Sequence, residues 1–141
     1  KHSRSNPSLM FTRLPTSFWF TPTAQAVGFI IGAVIILVAT LTPAAQLPPV
    51  PGTDKLHHII GFGGWALLCA FGPLKRFLSL AMLIILLGGV VEIIQPYVNR
   101  HGEWLDFYAD AFGVFIVVII KLGAWIFSKR TQRMDESLKK T

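Results

Sequence analysis

The side chains that could do chemistry fall into three pairs, each at helical spacing. The pairs are Asp54 with His58, Glu92 with Gln95, and Asp106 with Asp110. Residues three or four positions apart share one face of an α-helix. Carboxylates and an imidazole gathered on neighbouring faces can transfer protons as general acids and bases, or can bind a cation.

Long apolar runs surround these pairs and must form the elements that position them. Four runs, at residues 24–42, 55–72, 77–95 and 106–128, follow one another along the 141 residues. At about 1.5 Å per residue, each run makes a helix of about 27–34 Å, close to the ~30 Å hydrocarbon core of a bilayer. The composition, 52% hydrophobic and 14% charged, agrees with burial in lipid. The sequence therefore predicts an all-α polytopic membrane protein, a four-transmembrane-helix bundle.

Basic residues are concentrated at one end of this predicted bundle. Most of the 13 lysines and arginines precede the first run, lie between the second and third, or follow the fourth. The positive-inside rule then places both termini in the cytoplasm. The net charge of +6 is accounted for by topology, which argues against a nucleic-acid partner. The opposite end is acidic and rich in histidine.

The chain divides into three regions on this reading. Residues 1–23 form a cytoplasmic lead whose aromatic segment at 18–20 is an expected interfacial anchor. Residues 24–128 form the membrane domain, and residues 129–141 form a basic cytoplasmic tail that we expect to be mobile. Gly28 and Gly32 in the first helix form a small-xxx-small pair suited to close helix contact.

Each polar pair is extended by a glycine on the same helical face: Gly61, Gly88 and Gly113. Glycine permits close approach of a neighbouring helix, whereas a carboxylate facing the bilayer centre costs about 2.5–3.5 kcal/mol. Both preferences predict that the second, third and fourth helices enclose a shallow polar pocket that opens to the outside. The alternative is that Glu92, Gln95 and Asp110 only hydrogen-bond the helices to one another.

Two further contacts are expected at this pocket. The carboxylate of Asp54, one turn before His58, could orient the imidazole. Arg100, in the loop after the third helix, could hold a phosphate or carboxylate through two parallel hydrogen bonds. The alternative for Arg100 is a salt bridge to Glu103 or Asp106.

The ordered set of these residues resembles the VanZ-like membrane protein family. The resemblance lies in "DKLHHIIGF" at 54–62, "EIIQ" at 92–95, Arg100, and "DFYADAFG" at 106–113. It covers about residues 25–125 and marks residues 24–128 as a VanZ-like four-helix domain. Asp110 departs from the family pattern, which more often has Asn there, and adds a negative charge.

The resemblance implies a protein of the bacterial inner membrane whose partners are the bilayer and an envelope component. The family is named for a protein linked to resistance to the glycopeptide teicoplanin. We therefore expect the pocket to bind or modify an envelope lipid, a lipid-linked cell-wall precursor or a glycopeptide antibiotic. The alternative is a non-catalytic binding or structural membrane protein. The candidate catalytic residues are His58, Glu92, Asp106 and Asp110, and the candidate substrate-binding residues are Arg100, Gln95 and Asp54.

A divalent metal ion is a further candidate ligand of the pocket. His58, Glu92, Asp106 and Asp110 supply the oxygen and imidazole donors that such ions use. Their spacing matches no standard metal motif, and the sequence contains neither HExxH nor CxxC. The metal prediction therefore depends on whether the fold brings these donors together.

Overall fold

A computed structural model describes residues 21–46 and 52–139 of the chain. In these residues it contains four α-helices, α1 (Pro22–Leu41), α2 (Asp54–Cys69), α3 (Leu74–Ile94) and α4 (Trp104–Leu138), and two 3₁₀ turns, Ala44–Gln46 and Gln95–Val98. The all-helical prediction and the count of four helices are confirmed. The expected interfacial anchor at 18–20 lies outside the described residues.

Threonine side chains fix the starts of the first two helices. Thr21 caps α1 by accepting a hydrogen bond from the backbone N–H of Ala24. Thr53 caps α2 by accepting from the N–H of Leu56. Such caps satisfy N–H groups that have no partner inside the helix, so the boundaries agree with the local sequence.

The end of α4 differs from the sequence prediction. The helix continues past Ser128, where the fourth apolar run ends, as far as Leu138. The basic segment expected to be mobile is therefore helical through Leu138. Residues of this segment such as Lys129 and Met134 are favourable helix formers, and hydropathy alone did not register that preference.

Three hydrogen bonds between helices show that successive helices run in opposite directions. The side-chain amide of Gln25, near the start of α1, donates to the carbonyl oxygen of Cys69 at the end of α2 over 2.9 Å. The side-chain amide of Gln95, just after α3, donates to the carbonyl oxygen of Thr40 near the end of α1 over 3.2 Å. His58 and Asp110, which lie near the starts of α2 and α4, share a third bond. The early parts of α2 and α4 thus lie at the same end of the bundle as the ends of α1 and α3.

Helix α2 packs against each of the other helices and most extensively against α4. This closeness depends on Gly113 of α4, where a Cβ atom would collide with the carbonyl oxygen of Ile59. The partner glycine on α2 is Gly63, since a Cβ there would lie 3.2 Å from the carbonyl oxygen of Gly113. Gly61, which the sequence assigned to this interface, instead faces Ile36 of α1.

The interior of the bundle has an apolar part and a polar part. The apolar core includes Phe62, Cys69, Phe77, Ile84 and Val114, all fully buried. Most of the buried polar side chains lie near the end of the bundle where α1 and α3 end and α2 and α4 begin, and Gln25 is buried at the opposite end. Large apolar side chains such as those on the outer faces of α1 and α3 are exposed instead, which is the arrangement that a lipid surround favours.

Three of the four helices in the described residues are long and apolar enough to cross a membrane. They are α1, α4, and α3 taken together with its 3₁₀ extension to Val98. Helix α2 has 16 residues, which at 1.5 Å per residue is about 24 Å, shorter than a full span of about 30 Å. These helices indicate a membrane protein.

Candidate functional site

Three buried side chains from three different helices meet near one end of the bundle. His58 of α2 is 6% exposed, Glu92 of α3 is 5% exposed and Asp110 of α4 is fully buried. At 1.5 Å per residue along the helix axis, His58 lies about 6 Å from the start of α2 and Asp110 lies about 9 Å from the start of α4. The polar site is thus shallow but enclosed by protein.

His58 and Asp110 form the central contact of the polar site. The Nδ1 atom of His58 lies 2.8 Å from Oδ1 of Asp110. With the proton on Nδ1 and the carboxylate as acceptor, the lone pair of the imidazole remains on Nε2. The ring of Phe62 lies parallel to the imidazole, with centroids 6.4 Å apart, and limits the space on one side of it.

The expected pairing of His58 with Asp54 is therefore not the main contact. Helical spacing places Asp54 and His58 on one face of α2, but the hydrogen bond forms across the interface with α4. Asp54 is exposed at the start of α2, where an acid complements the helix dipole. Sequence spacing identifies a shared face, but not the partner on the facing helix.

Glu92 is held by the backbone of the loop between α3 and α4. Its Oε2 atom accepts a hydrogen bond of 2.8 Å from the backbone N–H of Glu103. Its Oε1 atom is buried and has no hydrogen-bond partner among the described residues. Gly102 permits this closeness, because a Cβ there would collide with the carbonyl oxygen of Glu92.

Asp110 also retains one oxygen without a partner. Its Oδ1 atom binds His58, while Oδ2 is buried and receives no hydrogen bond from the described residues. A Cβ added to Gly88 of α3 would lie 3.0 Å from this Oδ2 atom, so α3 approaches Asp110 closely. Glu92 and Asp110 thus each combine one anchored oxygen with one unpartnered oxygen.

A second group of charges lies nearer the end of the bundle. The ammonium of Lys55 lies 3.2 Å from Oε2 of Glu103 and 3.3 Å from Oδ1 of Asp106. Asp106 is buried and Lys55 is exposed, so the lysine neutralises that carboxylate from the surface of the protein. Lys55 precedes the apolar part of α2 and belongs to none of the three candidate spans. Hydrogen bonds to Glu103 and then Asp106 raise the pKa of its ammonium.

Gln95 and Arg100 are not part of the three-residue site. Gln95 is buried and donates to the backbone of Thr40, so it connects α3 with α1. Arg100 is half-buried in the loop that follows Asn99, whose backbone adopts the left-handed conformation with φ of 57°. No described carboxylate forms an ion pair with Arg100, so neither expected salt bridge, to Glu103 or to Asp106, is formed.

The donor atoms are close enough to serve a shared cation. One donor atom from each of His58, Glu92 and Asp110 lies within 4.8 Å of the others, and the same holds for Asp54, His58 and Asp106. These acidic and histidine groups could hold a metal ion. The four candidate catalytic residues are thus all near one another, whereas Gln95 points towards α1.

Sequence reasoning missed two contributors to the site. Lys55 was assigned no contact there, although it is one of very few basic residues expected at the acidic end, and charge complementarity could have identified it. The backbone N–H of Glu103 could not have been identified, because its role depends on the path of the loop. The proximity of Gly102 to Glu92 is equally a result of that path.

Comparisons with known proteins do not assign a family. The chain matches no protein-family model, no curated protein and no solved structure.

Proposed function

We propose that this chain is a VanZ-like integral membrane protein that binds the anionic headgroup of an envelope lipid or lipid-linked cell-wall precursor. The observation that carries the proposal is the enclosed polar site of His58, Glu92 and Asp110. Lys55 lies at the same end of the bundle, paired with Asp106, and Arg100 belongs to the loop whose Glu103 N–H holds Glu92. The resemblance to the VanZ-like family adds the expectation of an envelope component as ligand. Burial of several ionisable groups in a membrane domain favours function over structure.

The cationic residues are the proposed contacts for the headgroup. Arg100 is half-buried and makes no ion pair with a described carboxylate, so its guanidinium retains five N–H donors for a phosphate. Lys55 is exposed at the same end of the bundle. A headgroup there would contact water and protein while its acyl chains remained in the bilayer.

The same proposal assigns an orientation in the bacterial cytoplasmic membrane. Lys75, Arg76, Lys129, Arg130 and Arg133 all belong to the end away from the polar site or to the extension of α4. The positive-inside rule places that end in the cytoplasm and the polar site towards the outside. Labelling of a cysteine introduced at Asn99 by a membrane-impermeant maleimide, in a Cys69→Ser background, tests this. If a cysteine introduced at Ser128 is labelled in intact cells and one at Asn99 is not, the protein has the opposite orientation and the proposed one is wrong.

Lipid binding by the purified chain tests the proposed function. Phosphatidylglycerol and undecaprenyl pyrophosphate should bind, phosphatidylcholine should not, and teicoplanin provides a separate arm for a glycopeptide ligand. Arg100→Gln should weaken binding about tenfold or more, because charge-assisted hydrogen bonds contribute about 1.5–3 kcal/mol. Lys121→Gln, which removes another half-buried cation of α4, is the control. Equal binding of anionic and zwitterionic lipids would refute the proposal.

The His58–Asp110 pair favours a second candidate, an enzyme that acts on the bound lipid. A carboxylate that orients an imidazole is an arrangement used in general acid–base catalysis. His58 would accept a proton from water as the water attacks the headgroup phosphorus and the leaving oxygen departs. Mass spectrometry of undecaprenyl pyrophosphate incubated with the protein distinguishes the candidates, since only the enzyme releases phosphate.

A further inference from the structure

We propose that His58, Glu92 and Asp110 bind one divalent transition-metal ion between helices α2, α3 and α4. Their donor atoms lie within 4.8 Å of one another. Three ligands about 2.0–2.2 Å from one zinc ion lie about 3.3–3.8 Å from one another. A shift of roughly half an ångström in each side chain would therefore bring donors 4.8 Å apart to coordination distance.

The unpartnered carboxylate oxygens are the independent sign of a ligand. Glu92 Oε1 and Asp110 Oδ2 are buried without hydrogen-bond partners among the described residues, on side chains at least nine-tenths buried. A buried polar atom without a partner is unfavourable, and more so when it carries charge. Glu92 Oε2 is already anchored by the Glu103 N–H, and a carboxylate anchored through one oxygen resembles a ligand fixed by its outer contact. Asp110 Oδ1 lies 2.8 Å from Nδ1 of His58, and an ion bound at Nδ1 would take the place of the proton between these two atoms.

The charges of the described residues leave these two carboxylates without a compensating cation. Lys55 lies beside Glu103 and Asp106, but no described lysine or arginine pairs with Glu92 or Asp110. His58 supplies at most one positive charge. Two buried carboxylates with a neutral imidazole match the charge of one divalent ion.

The second group of donors, Asp54 with His58 and Asp106, is the weaker choice. Asp54 is exposed, and the Lys55 ammonium lies 3.3 Å from Oδ1 of Asp106. A cation placed there would be repelled by this lysine. The cation therefore belongs with the deeper group, where the described residues place no lysine or arginine in contact.

The donor set selects the kind of ion. One imidazole with two carboxylates suits Zn²⁺ or Mn²⁺ better than Mg²⁺ or Ca²⁺, which prefer all-oxygen surroundings. Three protein ligands also leave a coordination position open to water or to another ligand. This site requires no lipid, so it stands whether or not the proposed headgroup binding is correct.

Metal binding by the full chain in detergent tests the inference. The protein is stripped with a chelator and titrated separately with Zn²⁺, Mn²⁺, Mg²⁺ and Ca²⁺, while calorimetry and thermal unfolding are recorded. We expect one ion of Zn²⁺ or Mn²⁺ per chain and a rise in Tm. Glu92→Gln and Asp110→Asn should each weaken binding at least roughly tenfold. Asp54→Asn, a matched carboxylate-to-amide change at an exposed position, should leave it unchanged.

Two results would overturn the inference. The first is wild-type protein that binds none of the four ions and whose Tm does not change when they are added. This result needs no variant, so it would overturn the inference even if the variants failed to fold. The second is an Asp54→Asn variant that loses affinity while Glu92→Gln retains it, since the ion would then belong to the outer group. Lipid binding is measured without added metal, so failure of one proposal is distinguishable from failure of the other.

Discussion

The two halves of the helix bundle are held together by different interactions. In one half, fully buried apolar side chains such as Phe77, Ile84 and Val114 pack against one another. In the other, His58, Glu92 and Asp110 are buried at the same helix interfaces. Packing suffices to join helices in a membrane. Burial of these ionisable side chains is therefore a cost that the first half, whose described buried polar residue is the neutral Gln25, does not carry. We infer that the first half maintains the fold and the second serves a ligand.

The largest expected effect is in the apolar half. Phe77→Ala leaves a cavity at a fully buried position and should destabilise the protein by about 3 kcal/mol, while metal affinity stays unchanged. Thermal unfolding in detergent, paired with the metal titration, measures both. Phe115→Ala, on an exposed face of α4, should change neither. A loss of affinity in Phe77→Ala would show that the two halves are not separable.

A smaller effect is expected where the halves share the contact between α2 and α4. Gly113→Ala forces a methyl group against the carbonyl oxygen of Ile59, and overpacking of this kind costs about 2 kcal/mol. Gly123→Ala lies on the same helix with no atom within 4 Å of the added carbon. It should be neutral or stabilising by up to about 1 kcal/mol. Equal unfolding temperatures for the two variants would contradict the packing described here.

Glu92→Gln sharpens the comparison because its effects on stability and binding should have opposite signs. The amide oxygen can still accept from the Glu103 N–H, while the buried charge is removed. In metal-free protein we expect a gain of about 1 kcal/mol, together with weaker metal binding. Thermal unfolding after chelation gives the first value. A destabilised variant would mean that the Glu92 charge itself supports the fold.

Gln95→Leu should have a modest effect, because it removes one hydrogen bond to the Thr40 carbonyl. Hydrogen bonds between membrane helices contribute about 0.6 kcal/mol on average, and the expected loss is of that size. Unchanged binding of anionic lipid and metal would keep Gln95 outside the site. A large loss of lipid affinity would restore the substrate-binding role that its sequence position predicts.

The smallest effect on stability is expected at the exposed rim. Lys55→Gln removes an exposed ion pair with Glu103 and a pair in which the exposed lysine meets the buried Asp106. Water screens both pairs at the exposed ammonium, so Tm should fall only slightly. Its effect should appear in the salt dependence of anionic lipid binding. A clear drop in Tm with no change in that salt dependence would make Lys55 a structural residue.

Helix type and position could be predicted from the sequence because apolar runs of membrane length leave few alternatives. The faces that carry His58, Glu92 and Asp110 follow equally from helical spacing. Pairing across helices could not be predicted, since helix rotation decides that His58 hydrogen-bonds Asp110 rather than Asp54. The same rotation turns Gly61 towards α1 and places Gly63, rather than Gly61, against Gly113 of α4.

Loop geometry limited the prediction of the site further. Nothing in the order of residues indicates that the Glu103 N–H reaches Glu92, because this depends on the turn at Asn99 and the approach of Gly102. The helical continuation beyond Ser128 was missed for a different reason. The change to polar residues after Ser128 indicates where a helix would leave the lipid, but it does not indicate where the helix ends.

Helix α4 is long enough that a small tilt at one end would move its other end by several ångströms. Asp110 lies near one end and Leu138 at the other, about 42 Å apart at 1.5 Å per residue. A tilt of about 5° around Asp110 would displace Leu138 by about 4 Å by simple geometry on that length. A small change in the tilt of α4, caused by an ion near Asp110, would thereby move the basic end of the helix around Leu138. A movement of that size would alter the surface that this end presents to another molecule.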